Sequence, residues 1–446
     1  MFNKVLVANR GEVACRIFRT CRALGIKTVA VYSPAEGTPM HARLADESFQ
    51  LPEHDAPANA YLDAEAIVGL GVESGSDAIH PGYGFLSESP VLAEHCDRRG
   101  VTFVGPRPDI ARLFADKWAA REWMSSISVP VLPGARVVDD GPSGLESAAS
   151  SLGYPLMVKA TEGGGGIGMQ TVNKPEQLQR AVKRAGSSAF RAFGSREVYL
   201  EKFVPDARHL EVQIISDAEG NVSHLWEREC SAQRRHQKVI EEAPSTSLSP
   251  SARKSLVSLA IGAARSIAYV GAGTFEFVMN EMQGPYFLEA NARLQVEHAV
   301  TEMTTGVDIV EQQLRAAAGL GLTISHDGEV KPHGHAIQCR IYAEDPVTFL
   351  PSPGVLQSFA LPDLANVRVD TGYAVGDAVT RYFDPLLAKV IAWGENRAGA
   401  LRLMREALDA TEVSGVKTNI PILQTALQHP DFVGGLYTTG FFENLI

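Results

Sequence analysis

Long hydrophobic runs are missing from this chain of 446 residues. No stretch approaches the roughly 20 consecutive apolar residues of a membrane span, and the apolar run Val5, Leu6, Val7, Ala8 is too short for a signal-peptide core. Cysteine is scarce. The five present (Cys15, Cys21, Cys96, Cys230, Cys339) are odd in number and lack metal-ligand spacing, which argues for buried, reduced thiols in a soluble cytoplasmic protein. Positive charge is in deficit, with 41 Lys and Arg against 52 Asp and Glu, a formal net charge of -11. Nucleic acid and anionic membranes therefore exert no overall attraction and are not expected as partners, and any anionic ligand must be held by a local cluster of cations. Internal repeats, low-complexity tracts and segments polar enough to stay disordered are also absent from the sequence.

What is present is ordinary globular composition at about three times the length of an average domain, so several packed domains are expected. Residues 4–33 run from an apolar strand through Asn9, Arg10, Gly11 and Glu12 into a helical pattern that stops at Gly25, and then into a second strand, a βαβ unit. Further strands at 77–80 and 101–104 extend this to a doubly wound parallel sheet over residues 1–115. A Pro-, Gly-, Ser- and Asp-rich stretch at 130–155 introduces a small lid, about 131–205, set within a central region of 116–329 whose strands dominate 211–290. A last region, 330–446, contains short strands, the Pro/Gly-rich segment 349–354 and closing helices. The fold class is mixed α/β and α+β.

Strand-like residues 157–160 and 169–172 flank Gly163, Gly164, Gly165, Gly166, Ile167 and Gly168. Gly163, Gly165 and Gly168 satisfy G-x-G-x-x-G, yet a strand follows where a dinucleotide-binding fold needs a helix, and no G-x-x-x-x-G-K-[ST] occurs. The glycines instead cap a hairpin, either a plain surface turn or a flap whose N–H groups approach phosphate closely, with Lys159 entering it. A second hairpin, centred between Met282 and Gln283, puts Glu276 opposite Glu289. Facing carboxylates repel unless a cation lies between them, which favours Mg2+ or Mn2+; a shifted register or a solvent-facing Glu289 is the alternative. Cations gather at Gln233, Arg234, Arg235, His236, Gln237 and Lys238 and again at Arg293. They suit a small oxyanion, with Glu297 among them as a general base, unless they form only a solvated charged face. Tyr83, in a loop at the end of a first-sheet strand, is either a pocket residue or structural.

Taken together, these segments resemble the biotin carboxylase family of ATP-grasp enzymes over essentially the whole chain. The resemblance is carried by VANRGE at 7–12, HPGYGFLSE at 80–88, the glycine loop through Met169, CSAQRRHQKVIEE at 230–242, RLQVEH at 293–298, Cys339 with Arg340, AEDP at 343–346 and PSPG at 351–354. It implies an ATP-grasp fold between a Rossmann-like N-terminal biotin carboxylase domain and a C-terminal biotin carboxylase domain, and an ATP-dependent ligase that phosphorylates bicarbonate to carboxyphosphate and then carboxylates biotin. By that likeness ATP contacts Lys117, Lys159, His209, Gln233 and His236 beneath Gly164, Gly165, Gly166 and Met169, with Glu201, Lys202 and Val204 around the adenine. Glu276, Glu289 and Asn291 would hold metal. Lys238, Arg293, Gln295 and Val296 would bind bicarbonate, Glu297 would remove its proton, Arg340 would stabilise the biotin enolate, and Tyr83 would stand near biotin. A homodimer through residues such as Arg19 is expected, together with a biotin carboxyl carrier protein or domain and a carboxyltransferase subunit, since no Met-Lys-Met biotinylation site is present.

The chain departs from the family pattern at Glu162, Ile167, Ala290, Ala292 and Ala299, which puts loop dynamics or acceptor choice in question. Ile167, with the segment at 382–389, looks more like the urea carboxylase branch. The competing readings are another ATP-grasp ligase and a non-catalytic ATP-binding or assembly subunit.

Overall fold

The computed structural model describes residues 1–137, 141–164, 166–324 and 330–445. Five parallel strands form the first sheet, in the order Glu47–Gln50, Lys27–Tyr32, Lys4–Val7, Ala78–His80, Thr102–Phe103. Lys4–Val7 and Ala78–His80 are neighbours although distant in sequence. Strand order thus reverses between them, and the crevice beyond the carboxyl ends of such a pair is where open α/β sheets bind ligands. The loops carrying Arg10 and Tyr83 leave from that crevice, tied together by Asn9, whose side-chain amide donates to the Pro81 and Tyr83 carbonyls, each at 2.7 Å. Helix Gly11–Ala23 follows because Val13, Ile17, Cys21 and, offset, Ala14 and Phe18 recur at helical spacing and all are buried.

A four-stranded sheet, in the order Gly134–Arg136, Val198–Lys202, Leu156–Ala160, Gln170–Val172, makes the lid. Helix Leu178–Phe193 covers it through Leu178, Ala181, Ala185 and Ala189 and stops at Gly194, whose φ of 82° only glycine takes without strain. The glycine run joins Leu156–Ala160 to Gln170–Val172 in an antiparallel hairpin, as the sequence predicts.

Eight antiparallel strands form the platform: Tyr286–Asn291, Gly271–Met279, Arg208–Ser216, Val222–Arg234, Gln237–Ala243, His335–Tyr342, Leu386–Gly394, Val367–Thr371. The sheet runs unbroken across the expected boundary near residue 330, since Ile240 pairs with Cys339 and Glu242 with Ile337. Glu276 does lie opposite Glu289. Past that pair the register slips by one at a bulge, so Phe277 faces Phe287 rather than Leu288. Leu210, Val212 and Ile214 pack with Phe275, Phe277 and helix Pro250–Ser266 on one face. The alternate residues His209, Glu211 and Gln213 turn to the other face and are buried there. No helix among the described residues is long and apolar enough to cross a membrane.

Candidate active site

A cavity of about 860 Å³ opens where the first-sheet loops, the lid and the polar face of the platform meet. Its floor is a lattice of buried charge. The Lys238 ammonium donates to Glu211 at 2.5 Å, to Glu297 at 2.7 Å and to Glu276 at 2.8 Å. Glu297 is held at both oxygens, Oε1 by Lys238 and Oε2 by Arg340 at 3.0 Å, and Arg340 also donates to Glu241 at 2.6 Å. Beneath them the fully buried Arg228 pairs with Glu211 and donates to Gln213, Thr274 and Thr301.

Burial opposes ionisation of Glu297, but Lys238, Arg340 and Arg228 override it and hold the carboxyl far below the ordinary carboxylate range. Glu276 behaves likewise: burial works against its charge, and Lys238 and His209 outweigh burial. Lys238 is driven the other way. Burial alone would lower it, yet three surrounding glutamates raise it well above the usual lysine value. At neutral pH Lys238, Glu276 and Glu297 are therefore ionised, whereas burial pushes the Glu211 and Glu241 carboxyls up against the pull of Arg228 and Arg340.

Glu289 pairs with Lys117 at 2.5 Å, and Lys117 begins the helix capped by the Asp116 carboxylate. Asn291 donates to Glu276 at 2.8 Å while its carbonyl oxygen accepts from Arg293 at 2.7 Å. Two facing carboxylates with an amide oxygen beside them are a hard oxygen donor set that fits a divalent ion of the magnesium type. Both carboxyls are held below their ordinary value, Glu289 against burial by Lys117 above all, so the donors are ionised.

Above the floor, Lys159 pairs with Glu201 inside the lid sheet. Gln233 donates to His209, whose Nε2 is 2.5 Å from Glu276. Arg235 and His236 form a two-residue turn with φ of 51° and 65°, the geometry a tight hairpin demands. The flap rests on that turn: a Cβ at Gly166 would meet the His236 Cβ at 3.0 Å and the Arg235 carbonyl at 3.2 Å.

Three family models cover the chain. "Biotin carboxylase, N-terminal domain" matches residues 1–111, "Carbamoyl-phosphate synthase L chain, ATP binding domain" matches 116–325, and "Biotin carboxylase C-terminal domain" matches 338–444. Biotin carboxylase 2 of Bacillus subtilis is 47% identical over 446 residues, covering 99% of both chains. The chain belongs to the biotin carboxylase family. It is an ATP-dependent ligase, carboxylating biotin with bicarbonate and ATP. The 2-oxoglutarate carboxylase small subunit of Hydrogenobacter thermophilus is 44% identical over 99% of this chain and 93% of its own length. A crystal structure of the biotin carboxylase domain dimer of that enzyme, in complex with MgADP, ADP and bicarbonate, superposes with a TM-score of 0.96 at 44% identity, covering 100% of this chain and 98% of that one. A biotin carboxylase–β,γ-ATP complex from Campylobacter jejuni also gives 0.96, at 40% identity over 100% and 99%.

The residues expected from the family likeness converge on the one cavity: Tyr83, Lys117, Lys159, Gly166, Met169, Glu201, Lys202, Val204, His209, Gln233, His236, Lys238, Glu276, Glu289, Asn291, Arg293, Gln295, Val296, Glu297 and Arg340 all line it. Gly164 is not on its wall, and Gly165 lies outside the described residues. The Lys202 ammonium turns away to the Gly153 and Tyr154 carbonyls at 2.8 and 3.3 Å. Ala290, Ala292 and Ala299 pack in apolar clusters, whereas Glu162 and Ile167 line the cavity. Sequence reasoning missed Glu211, Arg228 and Glu241, the second layer of charge under the floor. One signal was available: His209, Glu211 and Gln213 alternate with apolar residues in a single strand, marking a polar face that the fold buries.

Proposed function

We propose that the floor of the cavity is the chemical centre for carboxylating biotin presented by a separate carrier. The sharing of Lys238 among Glu211, Glu276 and Glu297, beside Arg293 and Arg340, carries this reading. It assembles cations for an oxyanion and an ionised acid in one buried place. ATP lies between lid and platform, its adenine against Glu201, Lys202 and Val204, and its phosphates toward Lys117, Lys159, His209, Gln233 and His236 beneath the flap formed by Gly164, Gly165, Gly166 and Met169. Glu276, Glu289 and Asn291 hold the divalent ion, which neutralises phosphate charge when bound.

Bicarbonate sits against Lys238, Arg293, Gln295 and Val296. Glu297 takes its proton once Lys238 or Arg340 turns from the carboxylate to the substrate oxyanion. A bicarbonate oxygen attacks the terminal phosphorus, ADP leaves, and carboxyphosphate forms. Its breakdown gives CO2 and phosphate; the phosphate accepts the ureido N–H proton of biotin, Arg340 stabilises the resulting enolate, and the ureido nitrogen bonds to CO2. Tyr83 borders the biotin end. Closure of the lid protects carboxyphosphate from water.

A second copy of the chain, a carrier and a carboxyltransferase subunit complete the assembly. Supporting this are a relative named as one subunit of a larger enzyme, the 2-oxoglutarate carboxylase small subunit, and the dimer in the Hydrogenobacter structure. The half-exposed Arg19, paired with Asp370, is the proposed dimer contact. Five free cysteines, four of them buried, favour a reducing cytoplasm. The test is ADP release from ATP: it should require bicarbonate and rise with free biotin. Biotin-independent turnover on an amino acid or a nucleotide precursor would assign the site to another ATP-grasp ligase.

A further inference from the structure

Lys389 is fully buried on strand Leu386–Gly394, an unusual place for an ammonium group. It shares the sheet's polar face with its cross-strand partners Arg340 and Asp370. Its Nζ donates to the Val296 carbonyl at 3.0 Å and lies 3.0 Å from Glu12 Oε2, 3.9 Å from Asp370 Oδ2 and 5.8 Å from the centre of the Tyr83 ring. Three parts of the fold therefore meet at one cation: the first helix through Glu12, the C-terminal strands, and the segment carrying Arg293 to Glu297.

The Val296 carbonyl belongs to the peptide that leads directly into Glu297. The side chain of Glu297 is clamped by Lys238 and Arg340; among the described residues the peptide before it is held by the Lys389 donation to the Val296 carbonyl, while the His298 ring closes the same turn on the Gln295 carbonyl at 2.6 Å. We infer that Lys389 is a positioning residue for the bicarbonate step, fixing the Val296–Glu297 peptide so that the Glu297 carboxylate and the bicarbonate pocket keep their mutual geometry. Glu12 and Asp370 together offset the burial of the ammonium: burial leaves the Glu12 carboxyl raised despite the pull of Lys389, while Arg368 and Lys389 hold Asp370 well below its ordinary value. A catalytic group misplaced by about 1 Å loses on the order of 100-fold in rate, which is the scale on which such a clamp acts.

This inference rests on the proposed function. The test compares the full-length wild type with Lys389→Met and with the charge-balanced pair Lys389→Met/Glu12→Gln, and Lys389→Leu/Glu12→Leu stands in should that pair fail to fold. Steady-state ADP release is measured against bicarbonate and against ATP at fixed free biotin, and melting is followed in parallel. The balanced pair should melt within a few degrees of wild type, keep its ATP KM within about twofold, and show a raised bicarbonate KM with kcat down about 30-fold, within the range geometric misplacement produces. Recovery of the balanced pair to wild-type bicarbonate kinetics would reduce Lys389 to a partner for Glu12 and overturn the inference. Equal loss of ATP and bicarbonate kinetics would overturn it too. Wild type without bicarbonate-dependent ADP release would instead sink the function reading.

Discussion

The floor and the roof of the cavity are built on opposite principles. On the floor, Lys238, Glu211, Glu276, Glu297, Arg340 and Arg228 satisfy one another in a buried lattice that holds the charges before any ligand arrives. The roof is a run of glycines with Ile167 exposed at its edge, seated on the Arg235–His236 turn through Gly166. A lattice of that kind suits transition-state electrostatics, which lose strength if they must reorganise. A glycine flap suits entry, closure and release. The proposed function puts chemistry on the floor and gating in the roof, so substitutions in the two places should fail differently.

The largest effect belongs to the floor. Lys238→Gln or Arg293→Ala should lower bicarbonate-dependent ADP release by at least about 100-fold, as loss of preorganised electrostatic stabilisation does. Near-normal turnover in both would remove the floor from the chemistry. In the roof, Gly163 has φ of +90°, and a Cβ there would run into the Phe193 ring. Gly163→Ala should therefore disturb the flap and raise the ATP KM about tenfold, with a smaller change in kcat, the pattern of lost binding rather than lost chemistry. A pure kcat defect would erase the distinction between the two regions.

The reverse side of the floor is tested by Glu242, the neighbour of Glu241 on the same strand. Burial opposes its charge, but His335 and Arg397 hold its carboxyl at about 2. The folded value lies below the unfolded one, so its stabilisation is present above the unfolded carboxylate pKa of about 4.3 and disappears as pH falls from there toward 2. Glu242→Gln should lower the melting temperature at pH 7 by about 3 °C and flatten its decline on the acid side, measured by thermal scans across that window. The smallest change should come from Ile167→Arg, which adds a cation at the exposed edge of the flap and should shift the ATP KM by about twofold, consistent with a solvent-screened charge.

The sequence showed clearly what depends on neighbours along the chain. Two short strands with glycines between them disclose the flap, and alternation across a turn puts Glu276 opposite Glu289. The register slip just past that pair was not legible, because it depends on how Asn280 and Gln283 close the turn through their main chains. Glu241 reaches Arg340 across 99 positions and Lys389 reaches Val296 across 93, and no local pattern announces such meetings. Family likeness supplied the outer layer of the site, the residues that line the cavity. The inner layer became visible only when strands from distant parts of the chain lay side by side.

The pairing of Gln237–Ala243 with His335–Tyr342 has a consequence for dissecting the protein. Cut between them, each piece would carry a raw strand edge with unpaired N–H and C=O groups, flanked by apolar side chains such as Ile240 and Ile341 that are now buried. Exposed edges of that kind recruit other strands. The ATP-binding portion expressed by itself should therefore self-associate or precipitate, and a minimal unit that leaves no such edge keeps the whole sheet from Arg208 through Gly394.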